Sequence, residues 1–317
     1  MKCLVTGSAG FIGSHLFERL LSLGHEVHGL DNYQVGRFRH ENIKEWNVVS
    51  SAVPHMEYDW VFHLAALADI VPSIERPKDY YNANVSGTIR MLEWARRCPR
   101  LKRFVYAASS SCYGIPHEYP TAESAPIKPM YPYALTKAMG EELVLHYHQV
   151  YKLPTISLRF FNVYGPRART SGTYGAVFGV FLSQLANNLP LTIVGDGSQT
   201  RDFTYISDVV DALILAAESK ESGPFNIGSD STTTINRIAT LLGGTHERVY
   251  LPKRPGEPDC TFADISKAYQ KLKYYPKVTI EEGCMKMSEL IADFKDAPQW
   301  TAAKIHEATK AWFGALS

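Results

Sequence analysis

Short apolar runs alternate with longer amphipathic stretches through the first half of the chain. Lys2–Thr6, Glu26–Asp31, Trp60–Leu64, Arg103–Ala108 and Thr155–Arg159 read as strands. Between them, Ile12, Leu16 and Leu20 fall on one helical stripe, and Gly87, Met91 and Ala95 line another. Strand–helix alternation of this kind predicts an α/β fold, a doubly wound parallel sheet covered on both faces. After about Gly165 the pattern loosens, Gly, Pro and aromatic residues rise, and strand-like pieces such as Leu191–Val194 stand singly. A smaller α/β domain is therefore expected to interleave with the first: 1–165 with 204–228 in one, 166–203 with 229–317 in the other. Ser207–Ala217 predicts an amphipathic helix with Asp208 and Asp211 on its polar side. The tail Trp300–Phe313 also reads as a helix, with Trp300, Ile305, Ala308 and Trp312 packing on its own domain in preference to a partner subunit.

The chain has 317 residues, enough for one large or two fused domains. Hydrophobic residues at 45% and charged residues at 21% exclude a wholly disordered chain. Lys plus Arg is 33 against 32 for Asp plus Glu, so charge gives no reason to invoke nucleic acid or an acidic membrane surface as a partner. No apolar run approaches the ~20 residues of a membrane span. The five cysteines are scattered, with no CxxC, which argues against disulfide frameworks and metal sites and fits a reducing cytoplasm.

The first strand runs into Gly7-Ser8-Ala9-Gly10-Phe11-Ile12-Gly13, which opens the first helix. Gly7 permits the tight turn, Gly10 lets the backbone approach a pyrophosphate, and Gly13 lets helix and strand pack closely. The helix N-terminus offers N–H groups and partial positive charge. Strand, glycine turn and helix in this order predict a Rossmann-like dinucleotide site. Asp31 ends the second strand 18 residues beyond Gly13, with Asn32 beside it. A carboxylate there accepts both ribose hydroxyls of NAD and repels a 2′-phosphate, so NAD is expected over NADP. Asn47 and Val48 are weaker candidates for an adenine contact.

Tyr133 and Lys137 stand at i and i+4, on one face of a predicted helix. An ammonium beside a phenol favours phenolate, and such a tyrosine works as a general base near neutral pH. The Ser109-Ser110-Ser111 cluster ends a strand 24 residues before Tyr133, where a hydroxyl can share a proton with the phenol. Tyr131 lacks a lysine four residues on. Cys112 has no adjacent histidine to activate it and reads as buried packing.

TGSAGFIGSHL, HLAA (His63–Ala66), SSSCYG, YPYALTK, LRFFNVYGPR, GDGSQTRDFTYISDVV, NIG and RPGEPDCTFADISKA together resemble the extended short-chain dehydrogenase/reductase family of NAD-dependent sugar epimerases and dehydratases. The similarity covers about residues 1–290, and within the family the chain most resembles UDP-hexose 4-epimerases, including those acting on N-acetylhexosamines. The resemblance implies that Tyr133 takes the proton from the sugar 4-hydroxyl, that Lys137 binds the nicotinamide ribose, and that Ser109 is the catalytic hydroxyl with Ser110 beside the substrate. It places Phe11, Ile12, Leu64, Ala65, Ala66, Asn84 and Phe161 at the cofactor. It places Asn162, Arg201 and Arg254 on the nucleotide diphosphate, Glu257 on the nucleotide ribose, and the 174–178 segment, with Ala176 and Val177, past the base. Paired arginines suit a pyrophosphate on physical grounds as well. A homodimer through helices near Asp79–Arg97 and Pro132–Tyr151 is also implied.

Within the family, dehydratases need an Asp–Glu pair just after the catalytic hydroxyl, and decarboxylases carry a Glu two before the Tyr of the YG pair. Here those positions are Ser110 and Ser111, so no local carboxylate is expected to support elimination. What is left is reversible oxidation at C4, that is, 4-epimerisation through a 4-keto sugar, of UDP-GlcNAc/GalNAc or UDP-Glc/Gal. The alternatives are another nucleotide-sugar enzyme (dehydratase, 2- or 3,5-epimerase, oxidoreductase) or a non-catalytic NAD-binding regulator. Ala68 stands in place of a Lys of glucose/galactose-restricted relatives. Thr261 replaces their pocket-closing Tyr and leaves room for an N-acetyl group. Pro72 stands where several N-acetylhexosamine epimerases carry Arg.

Overall fold

The computed structural model describes residues 1–53, 57–168 and 177–316. Its strands are β1 (Lys2–Thr6), β2 (Glu26–Asp31), β3 (Ile43–Glu45), β4 (Trp60–His63), β5 (Arg103–Ser109), β6 (Thr155–Phe160), β7 (Asn162–Tyr164), β8 (Leu191–Val194), β9 (Thr200–Arg201), β10 (Phe203–Tyr205), β11 (Pro224–Ile227), β12 (Thr233–Thr234), β13 (Arg248–Leu251) and β14 (Cys260–Thr261). Its helices are α1 (Phe11–Ser22), α2 (Ile70–Glu75), α3 (Pro77–Tyr80), α4 (Gly87–Ala95), α5 (Pro132–Tyr151), α6 (Val177–Ala186), α7 (Ile206–Glu218), α8 (Ile235–Gly243), α9 (Ser266–Leu272), α10 (Ile280–Ser288) and α11 (Ala302–Leu316). One π turn, Tyr81–Ser86, joins α3 to α4.

Seven strands form one sheet in the order β11-β6-β5-β4-β1-β2-β3, parallel throughout. The order reverses between β1 and β4, and ligands of such sheets bind in the crevice at the carboxyl ends beside that reversal. Register sets what meets there: Thr6 pairs with Leu30 and His63, and Ser109 with Phe160. The strands bury both faces, as parallel strands under helices on two sides must. The expected helical stripes face this core, with Leu16, Leu20 and Met91 fully buried. The five expected strands are present, β4 one residue shorter and β5 and β6 one longer than read. Two sheet strands escaped the sequence reading. In β3 only Ile43 of three residues is buried, and β11 opens with a proline, tolerated because it starts an edge strand.

Beyond β6 the chain builds small sheets, β10–β7, β12–β9–β14 and β13–β8, beside the carboxyl edge of the large one. The expected helix at 207–217 is α7, but only Asp211 takes the polar position, pairing with Lys277 at 2.6 Å. Asp208 is buried and accepts hydrogen bonds from the backbone N–H groups of Lys277 and Val278, each at 3.1 Å. It pins the segment before α10, a tertiary demand that helical periodicity does not carry.

Helix α5 is tied to the sheet by charge as well as by apolar contact. Glu141 and Arg159 of β6 are both nearly inaccessible, and their ion pair is bidentate, with Arg159 Nη2 to Glu141 Oε1 at 2.6 Å and Nε to Oε2 at 3.1 Å. Ser157 Oγ donates to Glu141 Oε2 at 2.7 Å, and Arg159 Nη1 donates to the Tyr113 hydroxyl at 2.7 Å. Removing one member of such a pair strands a buried charge. Glu141→Ala is expected to lower stability by about 3–5 kcal/mol in urea unfolding. Asp259→Ala, which breaks the solvent-exposed Lys253–Asp259 pair, is expected to change it little. Equal effects of the two would show that the buried pair is not what fastens α5.

Candidate active site

The turn after β1 is held by contacts only glycine permits. Gly7 has φ +71°, and a Cβ there would come within 2.8 Å of the Ala65 nitrogen; a Cβ on Gly13 would lie 2.0 Å from the Gly7 carbonyl oxygen. Helix α1 begins at Gly10 with no side-chain cap and no acidic residue in its first turn, so its N-terminal field faces the cleft uncompensated. Asp31 closes the other side. Its Oδ2 accepts the Ala9 N–H at 2.9 Å and its Oδ1 the Tyr33 N–H at 2.8 Å, which fixes the carboxylate beside the turn. A carboxylate has about four acceptor sites, so two remain for a diol. A close-approach glycine turn, an open helix N-terminus and an oriented carboxylate fit the diphosphate and ribose of NAD.

Behind the turn a hydrogen-bonded chain fixes the wall. Ala65 N–H donates to Thr6 Oγ1 (3.2 Å), which meets His63 Nδ1 at 2.8 Å; His63 Nε2 meets Thr88 Oγ1 at 3.2 Å, and Thr88 donates to the Asn84 carbonyl at 2.6 Å. Because Thr88 spends its proton on Asn84, it accepts from His63, which assigns a neutral imidazole with hydrogen on Nε2. Complete burial agrees, pushing the His63 pKa down to about 3. The Asn84 side chain does not reach the cleft as expected. Its Oδ1 accepts the Leu67 N–H at 2.8 Å, while Nδ2 donates to the Leu67 carbonyl and Thr136 Oγ1, each at 3.0 Å. Asn84 sits on the π turn and ties the Leu64–Ala68 wall to α5.

Pro132 starts α5, and Tyr133 and Lys137 stand one turn apart on its buried face. Burial raises the Tyr133 phenol above its ordinary value; the nearby Ser109 hydroxyl opposes that, and the Asp69 carboxylate adds to it. The expected lowering of the phenol by Lys137 is not what governs here. Burial pushes Lys137 itself down to about 7, against Glu141, and its ammonium lies 4.4 Å from the centre of the Tyr106 ring. Ser109 and Ser111 hydroxyls are 2.8 Å apart, and Ser111 bonds Tyr131. Tyr131, set aside in the sequence, stacks against Tyr133 with centroids 6.4 Å apart and planes within 9°. Cys112 is buried and pushed up to about 12, an inert thiol. Positions 110 and 111 hold no carboxylate, but the wider expectation needs correcting. Asp69, preceding α2, lines the same cleft as Tyr133.

At the far end, Arg201 Nη2 donates to Glu257 Oε1 at 2.9 Å, and Arg254 Nη1 lies 3.7 Å from Glu257 Oε2. One carboxylate thus bridges the two guanidiniums. Asn162 Nδ2 donates to Thr261 Oγ1 at 2.7 Å, so Thr261 is a fixed wall residue as well as a small one. Trp312 of α11 donates from Nε1 to the Pro255 carbonyl at 2.8 Å and lies under Arg254, 5.3 Å from ring centre to guanidinium carbon.

Ser109, Tyr133, Lys137, Asn162, Arg201, Arg254, Glu257 and Thr261 line one cleft of about 1170 Å³, which runs from Gly10 and Asp31 past Tyr133 to Arg254. Gly7, Phe11, Ile12, Gly13, Asn32, Asn47, Val48, Leu64, Ala65, Ala66, Phe161, Ser110 and Val177 line it too. Asn84 does not, and Ala176 lies outside the described residues. Gly36, Arg37, Tyr131 and Trp312 were missed. Gly36 carries a readable signal, because a Cβ there would meet the Ala9 carbonyl carbon at 2.4 Å. Trp312 carries none, since its partners Arg254 and Tyr131 stand 58 and 181 residues earlier in the chain.

A dinucleotide crevice facing a Ser–Tyr–Lys constellation defines a hydride-transfer site of the short-chain dehydrogenase type. The chain belongs to the NAD dependent epimerase/dehydratase family, whose model matches residues 3–228. It is 35% identical over 308 residues to a UDP-glucose 4-epimerase of Mycolicibacterium smegmatis (91% of this chain, 98% of that one). It is 33% identical to UDP-glucuronic acid decarboxylase 1 of Arabidopsis thaliana, over 93% of this chain and 70% of that one. Among solved structures, UDP-N-acetylglucosamine 4-epimerase from Methanobrevibacter ruminantium in complex with UDP-N-acetylmuramic acid superposes with a TM-score of 0.86 at 32% identity, covering 92% of this chain and 98% of that one.

The Lys137 shift makes a testable statement about stability. Its folded pKa, about 7, lies below the unfolded value of 10.5, so between these values the unfolded chain binds more protons. The Lys137 contribution to stability therefore rises with pH across that window, by at most ~1.4 kcal/mol per unit. Lys137→Met removes the cost of burying the charge. In NAD-free protein the variant is expected to be stabilised relative to wild type at pH 7, with the advantage shrinking towards pH 10. A pH-independent difference in denaturant midpoint would contradict this account.

Proposed function

We propose that this protein is an NAD-dependent 4-epimerase of a nucleotide sugar, with a UDP-sugar as substrate and a transient 4-keto sugar as intermediate. The observation that carries the reading is the joining, in one cleft, of Ser109, Tyr133 and Lys137 with a twin-arginine anion site and no carboxylate at 110 or 111. NAD, when bound, supplies the hydride acceptor and then the donor. Tyr133 takes the proton of the sugar 4-hydroxyl and later returns it, Ser109 holds that oxygen, and Lys137 anchors the nicotinamide ribose. Arg201, Arg254 and Asn162 grip the diphosphate while the keto ring turns over. Residues 1–165 with 204–228 serve the cofactor, and 166–203 with 229–317 the nucleotide sugar.

Asp69 bears on the sugar. Its carboxylate, close enough to raise the Tyr133 phenol, would repel a second carboxylate at C6, which disfavours uronic acid substrates and their decarboxylation. The modest volume of Thr261 favours an N-acetyl group at C2. The chain works as a cytoplasmic homodimer. Support for the dimer is a set of exposed apolar residues on the two helices expected to pair, Ile89 on α4 and Leu135 and Val150 on α5.

Incubation with UDP-GlcNAc, UDP-Glc and UDP-GlcA, followed by proton NMR, is expected to show a new anomeric signal without loss of water or carbon dioxide. Elimination, or stoichiometric NADH, would replace this reading with another reaction. Tyr133→Phe is expected to lose at least ~10²-fold in turnover while retaining NAD, as for removal of a general base; near-normal turnover would defeat the assignment. Thr261→Tyr is expected to depress turnover of UDP-GlcNAc by about tenfold or more relative to UDP-Glc. An unchanged ratio would remove Thr261 as the site of selection.

A further inference from the structure

Helix α11 does more than finish the chain. Ile305, Thr309 and Trp312, spaced at helical intervals, are its buried residues, and they seat it beside α2, whose Ile70 and Val71 line the cleft. At its end Leu316 Cδ1 lies 3.4 Å from where a Cβ of Gly256 would stand. The helix therefore reaches from α2 to the Arg254–Glu257 turn, both of which line the cleft. Trp312 is the point of contact. It is 5% exposed, faces the cleft, and packs its ring 6.2 Å from Tyr131, which in turn stacks on Tyr133. Its indole N–H is spent on the Pro255 carbonyl, which fixes the ring beneath the Arg254 guanidinium.

We propose that α11 caps the nucleotide-sugar end of the cleft and that Trp312 is a positioning residue for substrate, holding Arg254 towards the diphosphate and, with Tyr131, walling the hexose. The inference rests on the reading of the chain as acting on a nucleotide sugar. A ring face attracts a guanidinium through its quadrupole and leaves the N–H edge of the arginine to grip an anion. A guanidinium so held binds a diphosphate without first paying the entropy of finding its orientation. The second consequence concerns retention. The 4-keto sugar must be free to rotate yet confined, and a helix packed on two lining segments confines it without gripping the ring.

Wild-type turnover of a nucleotide sugar is measured first; its absence from the whole panel would count against the underlying reading and not against the cap. Given turnover, Trp312→Ala is expected to raise KM by about tenfold, the scale of one desolvated cation–π contact, with bound NAD retained and kcat changed far less. It should also release 4-keto sugar, seen as NADH absorbance accumulating during turnover. Trp312→Phe, which keeps a ring face, is expected to restore most of the affinity. An unchanged KM in Trp312→Ala, or a Trp312→Phe variant as weak as the alanine one, would overturn the proposal. Hydrogen exchange of residues 302–316 in the intact wild-type chain, with and without UDP, decides the same point without substitution. Slower exchange with UDP supports the cap, and an unchanged rate overturns it.

Discussion

The site depends on burying a charged stripe of one helix against the sheet. Tyr133, Lys137 and Glu141 follow one another at four-residue intervals along α5, so whatever fixes one of them sets the others. Glu141 is fixed by Arg159 and Ser157, Arg159 in turn by the Tyr113 hydroxyl and the Glu123 carbonyl, and Tyr113 by Asn226. That network leaves α5 one rotation about its axis. A turn of ~100°, the angle per residue, would expose Glu141's partner and swing the phenol out of the cleft. Buried ion pairs add little net stability and a great deal of discrimination between arrangements. Here the arrangement selected is the one that aims a tyrosine and a lysine at the dinucleotide crevice.

Burial has an electrostatic consequence for the same residues. It raises the Tyr133 phenol, lowers the Lys137 ammonium and holds His63 neutral, so the Asp69 carboxylate is the fixed charge that acts on the phenol at this end. In a weakly screened site each group responds strongly to charge brought near it. The opposite end is organised differently. Two guanidiniums share one carboxylate, Glu257, which makes this end the cationic one. The cleft thus has an anion-gripping end and a responsive end, and the catalytic chemistry falls to the latter.

Much of this was legible in the chain because local rules determine it. The phosphate turn was readable since strand, glycine spacing and helix occupy a dozen residues, and Tyr133 and Lys137 since one helical turn joins them. Errors arose where distant segments decide. Asp208 sits on the polar arc of α7 by periodicity, yet the backbone before α10 recruits it inward. Asn84 carries a side chain suited to a ligand, yet Leu67 and Thr136 take both of its amide hydrogens and Leu67 N–H bonds its oxygen. Asp69 stands 64 residues before Tyr133 in the chain, and only the packing of α2 brings its carboxylate to the phenol. β11 begins with Pro224, and nothing in its four residues announces a place beside β6.

An epimerase faces a constraint that a simple dehydrogenase does not, because both faces of one ring must meet the same hydride donor. A site that gripped every hydroxyl of the sugar would hold one face and forbid the other. The cleft lining mixes small side chains, Ala68, Ser110 and Thr261, with the aromatic walls of Tyr131 and Trp312, flat faces that confine without hydrogen-bonding every hydroxyl. Firm contact is displaced to the ends, where Arg201, Arg254 and Asn162 stand on one side and the Tyr133–Ser109 pair on the other. Thr261 marks the boundary between the two regimes. Its hydroxyl is tied to Asn162, which belongs to the anchored end, while its short side chain opens space in the permissive middle. On the proposed reading, selectivity for the substituent at C2 would arise from volume at that boundary, and it need not compromise the freedom of the ring to turn.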